Sequence, residues 1–167
     1  GEVVPGMTPT TILTSGAPLA WEEYEGGQRR ALIAGAVYEG LAASPVEEVH
    51  VFARRGPAQA NFTPLELREL DHSPNVEVIV APEDIEYDDG SVEAINSDNQ
   101  TKLVVRELER YAMRTAEHGL GPRPRKLFLH FFESPVAVEG DGRVELFKTE
   151  RTELTGDGNV RGTGVIN

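Results

Sequence analysis

At 167 residues, 39% apolar and 26% charged, the chain has the composition of a soluble globular protein and the length of one domain, enough to bury roughly two-thirds of the surface its unfolded form exposes. It has no cysteine, which excludes disulfide frameworks, thiolate zinc sites, iron–sulfur ligation and a thiol nucleophile, so any redox role must use a bound cofactor. A net charge of −12 with scattered Lys and Arg argues against nucleic-acid binding, and with no long apolar stretch and no leader-like start the expected location is cytoplasmic, away from membranes.

Residues 1–28 hold Pro5, Pro9, Pro18 and several glycines with little periodicity, which predicts an irregular arm with one strand at Thr11 to Leu13. The chain opens on Gly1, and a processed product and a piece of something longer both stay open. From Gln28 to Ala43 the apolar positions Leu32, Ile33, Ala36, Val37 and Leu41 recur three and four apart, the spacing of a helix closed by Pro45. Val46 to Ala53 predicts a β-branched strand suited to a parallel sheet.

After it comes Thr63-Pro64-Leu65-Glu66, a helix start with threonine as N-cap, proline in the first turn and glutamate three residues after the cap. That helix is expected to run to about Leu70. Asn75 to Ala81 predicts another buried strand, so helix and strand alternate as in an α/β sheet. Glu83 to Asp89 is acidic but lacks the spacing of a calcium loop, and is expected to be a solvated turn. A long helix follows from Ser97-Asp98-Asn99 to about Glu117, with Leu103, Val104, Leu108, Tyr111, Ala112 and Thr115 on one side. Gly119 to Pro124 ends it. Lys126 to Phe132 is the most strongly β-forming run, followed by strands at Val136 to Glu139, Arg143 to Phe147 and Arg151 to Leu154 with glycines between, a pattern expected to give an antiparallel meander over 125–167.

The chemistry concentrates where the strand ending at Ala53 meets Arg54 and Arg55. Two adjacent guanidiniums at a strand's carboxyl end suit a phosphate, which each can grip through paired hydrogen bonds; the same pair also reads as ordinary solvated loop charge. Glu66 fits both the capping box and a ligand contact. The histidines His50, His72, His118 and His130 show no metal-binding spacing, and His50 and His130, inside strands, read as structural.

The run Ala53-Arg54-Arg55-Gly56-Pro57-Ala58-Gln59-Ala60-Asn61-Phe62-Thr63-Pro64-Leu65-Glu66-Leu67-Arg68-Glu69-Leu70 resembles the NADP-binding segment of adrenodoxin-reductase-like, FAD-dependent ferredoxin–NADP reductases. The resemblance extends from about Ala31 to about Gly164 and takes in Glu133-Ser134-Pro135-Val136 and Arg151-Thr152-Glu153-Leu154. It implies a partial doubly wound, Rossmann-like parallel sheet over 29–124 with the meander packed on it. It also implies NADP(H) as cofactor, with Arg54 and Arg55 on the 2′-phosphate, Glu66 and Gln59 as further contacts, and Glu69 near the meeting of nicotinamide and flavin. Ferredoxin or another electron carrier is the implied partner.

The family pattern is incomplete. No Gly-x-Gly-x-x-Gly fingerprint is present for either dinucleotide, so FAD enters only through sequence elsewhere or a flavin-binding partner chain. Two readings follow: a part of a ferredoxin–NADP reductase, or a catalytically incomplete relic or interaction module that self-associates through a sheet edge.

Overall fold

The computed structural model describes residues 20–24, 28–32, 43–155 and 159–167, the first two stretches through their backbone alone. The chain divides into two compact units, Gly1–Glu47 and Glu48–Asn167. In the first, β1 (Ala20–Tyr24) and β2 (Gln28–Leu32) pair antiparallel. This corrects two expectations: β1 lies within the supposedly irregular arm, and β2 replaces the first turn of the helix expected from Gln28. The register sets Glu22 opposite Arg30 and Glu23 opposite Arg29. The strand expected at Thr11 to Leu13, and residues 33–42 of the expected helix, lie outside the described residues.

In the second unit, β3 (Glu48–Ala53), β4 (Val76–Val80) and β5 (Arg125–Phe131) form a parallel sheet in the order β3-β5-β4. Grouping Lys126–Phe132 with the meander is therefore corrected. Its continuous apolar run belongs to a central strand flanked on both edges. Helix α1 (Pro64–Asp71) starts on the predicted capping box: Thr63 N–H donates to Glu66 Oε2 (2.9 Å) and Glu66 N–H to Thr63 Oγ1 (3.2 Å). Helix α2 (Asp89–Ser97) is an addition to the predicted order. Asp88 caps it by accepting from Ser91 N–H at 2.8 Å, and the Ser91 side chain together with this N–H holds the Asp88 carboxyl below the usual carboxylate range. Helix α3 (Asn99–His118) is the predicted long helix, capped by Asp98.

The core lies between α1, α3 and one face of the sheet. Leu67, Val78, Val80, Val104, Leu108, Tyr111, Leu129 and Phe131 are all buried there, and Tyr111 Oη donates to the Leu67 carbonyl at 2.5 Å, fastening α3 to α1. At the amino end of β4, Asp71 and Glu77 collect Arg110, Arg114 and Arg123. Burial alone would raise the Asp71 pKa, but the bonds from Arg114 and Arg110 outweigh it and hold the carboxyl below its ordinary range.

Antiparallel strands β6 (Glu133–Glu139), β7 (Leu146–Leu154) and β8 (Val160–Ile166) complete the unit. The expected strands at Arg143 to Phe147 and Arg151 to Leu154 are corrected to one, β7. Gly140 and Gly142 make the turn, and the residues from Phe147 to Arg151 contain no breaker. Among the described residues no helix is long and apolar enough to cross a membrane.

On the sheet face away from the core, rings from β3 and β5 stack in a column, Phe128 on His50 (4.4 Å between centroids), His50 on His130 (5.2 Å) and His130 on Phe52 (4.6 Å), and Phe147 of β7 packs on Phe52 at a 41° tilt (4.9 Å). His50 Nδ1 and His130 Nε2 are 2.9 Å apart, a hydrogen bond for which one ring must donate and the other accept. Burial, with help from the neighbouring His50 charge, lowers the His130 pKa against the opposing pull of Asp84 and Glu133; Glu48 lies 3.5 Å from the far nitrogen of His50.

Two outcomes follow from this packing. Leu108→Ala should reduce the unfolding free energy by roughly 2–5 kcal/mol in urea titrations, the range for truncating a fully buried leucine. Because the folded-state pKa of His130 lies below its ordinary 6.5, the unfolded chain binds more protons between the two values. Stability should therefore fall as pH drops below 6.5, and urea midpoints measured on either side of that pH should converge in His130→Phe.

Candidate functional site

In a parallel sheet the ends of the strands that carry loops toward a ligand are the carboxyl ends, and here all three converge. Arg54 and Arg55 follow β3, the turn Pro82–Asp84 follows β4, and Phe132 follows β5. Arg54 and Arg55 are exposed, and among the described residues neither guanidinium makes an ion pair or hydrogen bond. Their backbone is held firmly. The Arg54 carbonyl accepts from Thr152 Oγ1 (2.7 Å) and the Arg55 carbonyl from Phe132 N–H (3.2 Å). Gly56 comes next, packed so closely on the Phe132 ring that a Cβ there would lie 2.3 Å from ring Cζ. Pro57–Gln59 then makes a single 3₁₀ turn, with Gln59 N–H bonded back to the Gly56 carbonyl.

Asp84 is the counterpart after β4. The expectation of a solvated acidic turn is corrected: Asp84 is 4% exposed, accepts from Phe131 N–H (3.1 Å) and pairs with Arg151 Nη1 at 2.5 Å. Burial dominates its pKa and raises it, the contacts with Arg151 and Phe131 pulling the other way. Arg151 also donates to the carbonyls of Phe131 and Glu83, and lies over the Phe132 ring, 5.2 Å from its centroid. Arg151 is therefore spent on structure, whereas Arg54 and Arg55 are spare.

The remaining predicted residues divide. Gln59 donates from Nε2 to Ser91 Oγ on α2 (2.9 Å), a contact that steadies the loop, while its Oε1 is buried without a partner. Glu66 is engaged in the capping box. Glu69 is exposed on α1 with no ion pair among the described residues, to Arg68 or Lys126 included. Neither Glu66 nor Glu69 bonds to the arginines. The histidines form no metal cluster among the described residues.

Sequence reasoning missed Asp84, Phe132 and the hydroxyl of Thr152, whose roles depend on contacts 47 to 98 residues distant in the chain. Beside the loop lies a cleft of about 410 Å³ lined by Tyr87, Phe132, Thr152, Leu154 and the carboxylates Glu86, Asp88 and Glu153. The carboxylates repel anions from the cleft and leave the arginine side as the place where a phosphate is welcome.

No family model matches the chain. Among curated proteins it is 36% identical over 131 residues to the NADPH-ferredoxin reductase FprA of Mycobacterium leprae, an alignment covering 77% of this chain and 27% of that protein. It is 32% identical over 114 residues to the mitochondrial NADPH:adrenodoxin oxidoreductase of Drosophila melanogaster, covering 67% of this chain and 23% of that one. Among solved structures, Mycobacterium tuberculosis FprA in complex with NADPH superposes with a TM-score of 0.68 at 33% identity, over 82% of this chain and 30% of that one. The chain thus spans about a quarter of the length of the relatives it matches. Sequence and fold agree that it belongs to the adrenodoxin-reductase-like ferredoxin–NADP reductases, of which it represents one segment.

Proposed function

We propose that the chain is the NADP(H)-binding portion of a ferredoxin–NADP reductase-type oxidoreductase, with Arg54 and Arg55 gripping the 2′-phosphate of the coenzyme. The observation that carries the reading is the pair of exposed, uncommitted guanidiniums on a backbone fixed at the carboxyl end of β3. Support comes from the names of its relatives, one of which is described in complex with NADPH. A doubly charged phosphate fits this donor set, since each arginine offers a planar fork of N–H groups and neither must first break a contact among the described residues.

Gln59, whose buried Oε1 has no partner, and Glu66, at the start of α1, border the same loop and are assigned secondary coenzyme contacts. Glu69, exposed and unpaired among the described residues, is assigned to the nicotinamide side, where a carboxylate supports positive charge or holds a proton. When bound, the coenzyme supplies a hydride. These 167 residues contain no glycine fingerprint to hold a flavin diphosphate, so FAD is assigned to sequence or a chain beyond them, and a ferredoxin-type carrier is the electron partner.

Calorimetric titration of the chain with 2′-phospho-AMP tests the reading. Arg54→Ala and Arg55→Ala should each weaken binding about tenfold, the size of a lost charge-assisted contact, and raised salt should weaken the wild type further. Equal binding by all three proteins would refute the assignment.

A further inference from the structure

We infer that Phe132 and Thr152, from the strands that follow the parallel sheet, are positioning residues that aim the arginine doublet and so set its preference for a 2′-phosphate. The inference rests on the phosphate reading above and adds a cause for its selectivity. Arginine side chains are long and rich in rotamers, so the affinity of a guanidinium pair depends on how little freedom remains to be lost when the ligand arrives.

The structure limits that freedom at the backbone. Thr152 Oγ1 holds the Arg54 carbonyl and Phe132 N–H holds the Arg55 carbonyl, so two consecutive peptide units are pinned from one side. The pins are themselves joined, because Thr152 N–H donates to the Phe132 carbonyl at 2.8 Å. Arg54, Arg55, Phe132 and Thr152 thus form a closed circuit of three hydrogen bonds.

Phe132 shows that this circuit is under constraint. With φ of 57° it is the only non-glycine residue in the left-handed region among those described, a conformation that strains a bulky side chain and persists only where the surroundings over-determine it. The surroundings do so here. Its ring is buried against Gly56 and covered by the Arg151 guanidinium, which is anchored to Asp84. Relaxing Phe132 to an ordinary φ would swing its N–H away from Arg55 and break the circuit. Backbone strain next to an uncommitted cationic loop marks a geometry kept for binding.

The test compares affinities for 2′-phospho-AMP and 5′-AMP by calorimetry. Thr152→Val keeps shape but removes the hydroxyl, and its preference for the 2′-phosphate should fall about fivefold, the worth of one ordinary hydrogen bond, while Thr152→Ser keeps the wild-type preference. Unchanged preference in Thr152→Val overturns the positioning role. If Arg54→Ala and Arg55→Ala also bind as wild type, the phosphate reading itself has failed, a separable result. A measurement on the wild-type chain covers the case in which Thr152→Val does not fold: saturating 2′-phospho-AMP should slow hydrogen exchange at the Phe132 amide relative to the amides of β4, and an unchanged ratio overturns the inference.

Discussion

Everything at the carboxyl end of the sheet depends on the peptide groups of Phe131 and Phe132. Four consecutive polar backbone atoms there bond to different parts of the chain. Phe131 N–H goes to Asp84 and its carbonyl to Arg151, while Phe132 N–H goes to Arg55 and its carbonyl to Thr152. At this point β5 stops pairing with parallel neighbours and the chain becomes the first antiparallel strand, so these groups would otherwise be orphaned in a buried place. Satisfying them ties the loops after β3 and β4 to β7 in one knot. An exposed Arg54-Arg55 loop thereby acquires a rigid foundation without either guanidinium being consumed.

Charge gives that arrangement its meaning. The chain carries −12 overall, and other arginines are committed: Arg151 to Asp84 at the same end of the sheet, and Arg110, Arg114 and Arg123 to Asp71 and Glu77 at the opposite end. In such a field an uncommitted pair of cations stands out as a local attraction for an anion, and the carboxylates Glu86, Asp88 and Glu153 of the neighbouring cleft confine that attraction to the arginine side. In the proposed function that anion is the 2′-phosphate of the coenzyme.

Elements written in local chemistry were legible. Thr63-Pro64-Leu65-Glu66 announced α1 through its cap, and the spacing of Val104, Leu108 and Tyr111 announced α3, because caps and periodicity act within a few residues. Where the signal is not local, the reading failed: nothing in the sequence around Gln28–Leu32 marks its pairing with Ala20–Tyr24, so β2 reads as the first turn of a helix. Helix α2 escaped notice because its cap, Asp88, was absorbed into an acidic run. The doublet was legible as composition and context. Its foundation was not, since no local feature tells that Phe132 turns left-handed or that Thr152 reaches Arg54 across 98 residues.

The most direct measurement is the side-chain Nε–Hε signals of Arg54 and Arg55 in a nitrogen–proton correlation spectrum during titration with 2′-phospho-AMP. The account predicts that both signals move together and saturate with the ligand, while adenosine lacking phosphate leaves them in place. Signals that stay fixed while other arginines respond would contradict it.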